Sequence, residues 1–239
     1  MRAYPPLGMI GPRAIAWWSL RTLAGDVRVE GREHVPRTGP VLLAAHHVHH
    51  LLDGAVLVNR LDRPVHIVVG LDWTADAAQR RWMERLCGWA GYPVILRPAT
   101  AGTRGGFGAG EVAHYLRGGF RDAAALLAAG RVVLVFPEGY PVVDPTASGA
   151  VPRERDGDGF LPFARGFRAL AEIARRRGAG DVAVLPVGFR YERRDRRWNI
   201  VARIGRPLGP EAAVADVEDA VRRLSREGAG GAVSRSAGR

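Results

Sequence analysis

The residues best equipped for chemistry crowd into one stretch, "LLAAHHVHHLLDGAVL", residues 42–57. Four imidazoles, those of His46, His47, His49 and His50, precede one carboxylate, Asp53. Such a set could ligate a metal, move a proton, or form a solvated polar patch. A zinc site normally takes three or four protein ligands. The other histidines, His34, His66 and His114, stand at no ligand-like spacing, and the chain has no HExxH run. No metal site is expected. Asp53 favours proton transfer. It is embedded in the apolar run "LLDGAVL", where a carboxylate needs a polar partner. An imidazole supplies one, and the pairing fixes the tautomer so that the second ring nitrogen is able to accept a proton. His49 stands one helical turn before Asp53. His47 is six residues before it and would reach it across a local bulge.

Further candidates follow apolar runs that read as strands. Phe136-Pro137-Glu138-Gly139 closes "RVVLVFPEG", and Arg97 closes "YPVILR". The glycine-rich stretch 100–110, with Arg104, lacks both GxGxxG and a P-loop lysine, so a nucleotide cradle is not expected and a lid near the substrate is. Cys87, within "MERLCGWAG", reads as a small core residue.

The elements that must position these groups punctuate clearly. Strands are predicted at 41–45, 65–72, 92–97, 131–136 and 182–191, with a short one before "EGREHVPRTGP". Helices are predicted at 77–91, ending at a glycine, at 111–130 as one helix or two, at 166–180, and at 211–227. Alternating strands and helices imply an α/β fold with a mostly parallel central sheet flanked by helices. Sites in such sheets gather beyond the C-terminal ends of strands. Both the histidine cluster and "FPEG" fall there.

Composition bounds the function. The 239 residues suit one α/β domain. Formal net charge is +11, and every basic residue is arginine. Arginine forks suit anionic partners such as lipid headgroups or phosphates, although an Arg-rich genome would leave the same mark. A single cysteine excludes an internal disulfide and suits a reducing compartment. No apolar run approaches the length of a spanning helix, and no signal-peptide pattern opens the chain. Residues 9–24, "MIGPRAIAWWSLRTLA", mix Trp17 and Trp18 with Arg13 and Arg21, a pattern that suits a lipid interface or a helix packed on the core. The division expected is an amphipathic membrane-interface segment at 1–27, a catalytic domain at 28–228, and a disordered basic tail at 229–239. A non-catalytic binder of anionic membrane or nucleic acid is the alternative reading of the charge. No nucleic-acid motif accompanies that charge, and no nucleic-acid partner is expected.

From about residue 28 to 207 the chain resembles the PlsC-type glycerolipid acyltransferases, which include the lysophosphatidic acid acyltransferases. "VEGREHVPRTGPVLLAAHH" is similar to the lead-in of their histidine block, "GYPVILR" to the block that ends in arginine, and "FPEG" to the third. "FLPFARGFRALA" and "VAVLPVGFRY" match later segments in order. The resemblance implies transfer of an acyl group from an acyl-CoA or acyl-carrier-protein thioester to a lysophospholipid-like acceptor. No further cofactor is implied, and neither is a covalent acyl-enzyme. His47 would be the base and Asp53 its partner. Arg97, Glu138, Gly139 and Tyr140 would line the acceptor site, with Arg97 gripping an anionic group. The protein would act in the cytoplasm, peripherally on the inner face of the cell membrane. Two departures stand out. The family places four residues between histidine and aspartate, whereas His47 and Asp53 have five between them and His49 and Asp53 have three. After Gly139 the family usually has Ser or Thr and then Arg. This chain has Tyr140 and Pro141, which weakens the case for a glycerol phosphate acceptor.

Overall fold

The computed structural model describes residues 10–74, 76–97, 107–143, 155–209 and 211–227. Arg104, most of the stretch 100–110 and the expected basic tail lie outside the described residues.

A six-stranded sheet forms the centre, in the order β1-β8-β7-β2-β6-β3. Its strands are β1 (Ala24–Glu30), β2 (Val41–Ala45), β3 (Val65–Ile67), β6 (Val132–Val135), β7 (Ala183–Arg194) and β8 (Arg197–Ile204). All neighbours run parallel except β7 and β8, an antiparallel hairpin that turns at Asp195, the one described non-glycine residue with positive φ. The mostly parallel sheet is as expected. The hairpin adds an antiparallel pair that the run of alternating elements did not signal.

The central strands β2 and β6 are fully buried along their length. That burial explains why both read as continuous apolar runs, with no alternation. Val41, Leu43 and Ala45 point into one core with α1 (Ile10–Leu23) and α2 (Leu52–Arg60). Leu42 and Ala44 point into a second, with α4 (Ala109–Ala128), α5 (Gly166–Arg176) and α6 (Val214–Arg226). The result is helix, sheet, helix. The expected boundary after residue 27 falls inside β1, because α1 runs directly into that strand. Ala16 and Leu20 of α1 belong to the first core, while Trp17 and Trp18 face outward, 56% and 64% exposed.

The run 65–72 is not one strand. Val68 N–H donates to Leu134 O of the main sheet, and the next amide, Val69 N–H, donates to Pro93 O. The chain there leaves one sheet for another, a two-stranded parallel ribbon of β4 (Val69–Gly70) and β5 (Val94–Ile95). Between them lies α3 (Ala77–Ala90), capped by the Asp76 carboxylate and closed by Gly91 at φ 68°. The predicted helix 111–130 is continuous despite Gly118 and Gly119. A Cβ on Gly119 would lie 2.4 Å from Val94 O, so the glycine is what lets β5 approach the helix.

Candidate active site

β2, β6 and β7 are parallel neighbours, so their C-terminal ends lie together. The segment after β2 carries the four histidines, and the segment after β6 carries "FPEG". The two segments are laced by backbone bonds: Val142 N–H donates to His47 O at 3.0 Å and Val143 N–H to Val48 O at 2.8 Å.

Asp53 sits in the first turn of α2 with its side chain fully buried. Four donors converge on it. His47 Nδ1 lies 3.0 Å from Oδ2, which also accepts the amides of Val48 at 2.7 Å and His49 at 2.9 Å. The Tyr191 hydroxyl donates to Oδ1 at 2.6 Å. The extra residue between His47 and Asp53 is absorbed by this wrap of backbone around the carboxylate, the bulge that the spacing required. An ionised carboxylate only accepts, so Nδ1 carries the proton and Nε2 is left with its lone pair. Nε2 has no partner among the described residues. The His47 ring stacks on Phe136 at 4.1 Å, which fixes its plane.

His49 is used differently. Its Nδ1 accepts the amides of Leu51 at 3.2 Å and Leu52 at 3.4 Å, at the start of α2. Its ring lies beside Tyr191 and Trp198. Of the two candidate bases, His47 lines the adjoining cavity.

That cavity holds about 480 Å³ and is mainly apolar. Pro12, Ile15 and Ala16 of α1 line one side, and Met83, Leu86, Cys87 and Ala90 of α3 another. His47, Arg97 and Gly139 stand in its wall. Cys87 is a packing residue of this wall. Burial first, and Glu84 second, push its thiol up to about 11, so it carries no reactive thiolate near neutrality.

Two expected site residues take other positions. The Glu138 side chain is fully buried and faces away from the cavity. One oxygen meets His46 Nδ1 at 2.5 Å and the His47 amide at 3.0 Å. The other accepts the Leu161 amide at 3.0 Å and Arg155 at 3.3 Å. A buried carboxylate requires such partners, and here they brace the backbone of His47. The Tyr140 side chain is also buried, beneath Arg97, whose guanidinium lies 3.7 Å from the ring centre. Arg97 donates from Nε to Asp72 Oδ2 at 2.6 Å and from Nη1 to Gly139 O.

Sequence reasoning gave His46 no role apart from the cluster and missed Arg155, Tyr191 and Asp72. A signal existed for two of them. Tyr191 shares the period-two face of β7 with Val187 and Phe189, and Asp72 closes an apolar run as a strand-end carboxylate. Among the described residues no group of three or more His, Cys, Asp or Glu side chains is placed to hold a metal ion.

Comparison with known proteins bears on the family and the fold. The sequence profile of the Acyltransferase family matches residues 26–190. Among solved structures, the chain is similar to the 1-acyl-sn-glycerophosphate (LPA) acyltransferase PlsC from Thermotoga maritima. The two share 19% identity and a TM-score of 0.57, over 95% of this chain and 84% of that one. At that identity the likeness is one of fold. No curated protein matches the chain.

Proposed function

The chain belongs to the Acyltransferase family, and from that premise we propose that it moves a fatty acyl group from an acyl-CoA or acyl-carrier-protein thioester to the hydroxyl of a lysophospholipid-like acceptor. One observation carries the reading: His47 is held through Nδ1 by buried Asp53, at 3.0 Å, while the ring lines an apolar cavity of about 480 Å³. Nε2 takes the proton of the acceptor hydroxyl as its oxygen attacks the thioester carbonyl. The C–S bond then breaks, and the thiolate leaves with the proton that His47 gives back. Asp53 stabilises the imidazolium between those steps. Tyr191 and two backbone amides hold Asp53 in place. The Tyr191 phenol is itself held far above its ordinary pKa, first by burial and then by the Asp53 charge, so it stays a hydrogen-bond donor.

The apolar cavity suits the acyl chain. We place the protein on the cytoplasmic side of the cell membrane, bound peripherally. No helix among the described residues is long and apolar enough to cross a bilayer. The support is α1, which lends Pro12, Ile15 and Ala16 to the cavity and exposes Trp17 and Trp18, with Arg21 alongside.

The test is release of free thiol from an acyl thioester, measured over a panel of lyso-acceptors. Acceptor-dependent release is expected. If no acceptor on the panel stimulates release above hydrolysis, the reading fails.

A further inference from the structure

Resting on acyl transfer as the reaction, we infer that the acceptor's polar end is a hydroxyl or an amine that donates to Asp72, and not a phosphate monoester.

Arg97 is the one permanently charged side chain among the described residues that line the cavity. It is already neutralised. Asp72, with its side chain fully buried, holds Arg97 Nε at 2.6 Å. Nη1 serves the Gly139 carbonyl, and the guanidinium face rests on Tyr140. A phosphate monoester would bring up to two negative charges to a site of zero net charge. Its attraction to Arg97 would be offset by repulsion from Asp72 in the same low-dielectric surroundings. Breaking the buried pair to free the guanidinium would strand the carboxylate.

The unsatisfied groups point the other way. Among the described residues only three buried side-chain polar atoms lack a hydrogen-bond partner, and two belong to this cluster: Asp72 Oδ1 and the Tyr140 hydroxyl. A buried carboxylate oxygen without a donor is costly and calls for an explanation. The Tyr140 phenol stays protonated, since burial raises its pKa first and Asp72 adds to the effect against Arg97. Gly70 is the wall residue over the pair. A Cβ there would lie 3.1 Å from Asp72 Oδ1 and 3.7 Å from Arg97 Nε, so at this lining position only bare backbone lies against Oδ1. A neutral or cationic donor entering from the cavity would satisfy Oδ1 and leave the Asp72–Arg97 pair intact.

The experiment compares acceptors of one acyl chain length with a single acyl-CoA donor: 1-monoacylglycerol, a lysolipid ending in a primary amine, and 1-acylglycerol 3-phosphate. We expect kcat/KM for the hydroxyl or amine acceptor to exceed that for the phosphate by about tenfold or more, the scale of one charged hydrogen bond. Which of the two is used better identifies the donor group. Asp72→Asn removes the negative charge and should narrow or reverse the ratio. Preference for the phosphate in the unaltered protein, or a ratio that Asp72→Asn does not move, overturns the inference and leaves acyl transfer standing. Silence with every acceptor overturns acyl transfer itself, and this inference with it. Should Asp72→Asn lose its thermal transition, the ratio in the unaltered protein decides alone.

Discussion

Two buried carboxylates flank the same cavity and are used in opposite ways. Asp53 is saturated with four donors, and one of them is an imidazole whose other nitrogen is open. Asp72 has a guanidinium on one oxygen and nothing on the other among the described residues. The difference lies in what the partner can give up. An imidazole gains and loses a proton near neutral pH, so the Asp53–His47 pair can do work on a substrate proton. A guanidinium keeps its protons at any pH a protein survives, so the Asp72–Arg97 pair can only recognise and position. The elements differ in the same sense. Asp53 sits in the buried first turn of α2, where packing fixes its surroundings. Asp72 and Arg97 follow strands of two residues each.

The contrast is open to attack by mutation, and the largest effect belongs to Asp53. Asp53→Asn preserves shape but presents an amide that no longer fixes the His47 tautomer or stabilises the imidazolium. Turnover should drop by about a hundredfold or more, the usual worth of general acid–base catalysis, with the acceptor KM little changed. A drop confined to KM would merge the two carboxylates into one binding role.

Arg97→Ala should show the reverse pattern. It leaves Asp72 buried without its cation, so stability should fall by roughly 3 kcal/mol or more, read as a lowered denaturation midpoint. The acceptor KM should rise by about tenfold and the thioester KM should stay. Equal rises in both would remove Arg97 from acceptor recognition.

A smaller effect is expected from Tyr191→Phe, which deletes one of the four donors to Asp53. The carboxylate is held less firmly, and His47 with it. In Tyr191→Phe kcat should therefore fall by roughly three- to tenfold, with the acceptor KM unchanged. An unchanged kcat would make Tyr191 a packing residue.

Much of this was readable from the chain. Strands β2, β6 and β7 announce themselves because burial on both faces demands continuous apolar side chains. That Asp53 needed an imidazole was legible because a carboxylate in "LLDGAVL" had to find a partner nearby, whereas the choice of His47 over His49 rested on the resemblance. What stayed hidden depends on strand order. Tyr191 meets Asp53 across 138 residues of sequence, through the placement of β7 beside β2, and no local pattern encodes that. Glu138 was placed in the acceptor pocket by its motif, yet its charge is consumed by His46, Arg155 and two amides on the far side of the same turn. The Asp72–Arg97 pair was hidden by the break in the run 65–72, where successive amides serve different sheets.

The central claim is that His47, and not its neighbour His49, takes the acceptor's proton. The direct measurement is acceptor-dependent thiol release by His47→Ala and His49→Ala, with thermal unfolding followed in parallel. His47→Ala should lose activity by about a hundredfold or more while keeping its unfolding midpoint, since Asp53 retains three donors. His49→Ala should lose stability through the start of α2 and keep most of its turnover. Full activity in His47→Ala, with loss in a folded His49→Ala, would contradict the account.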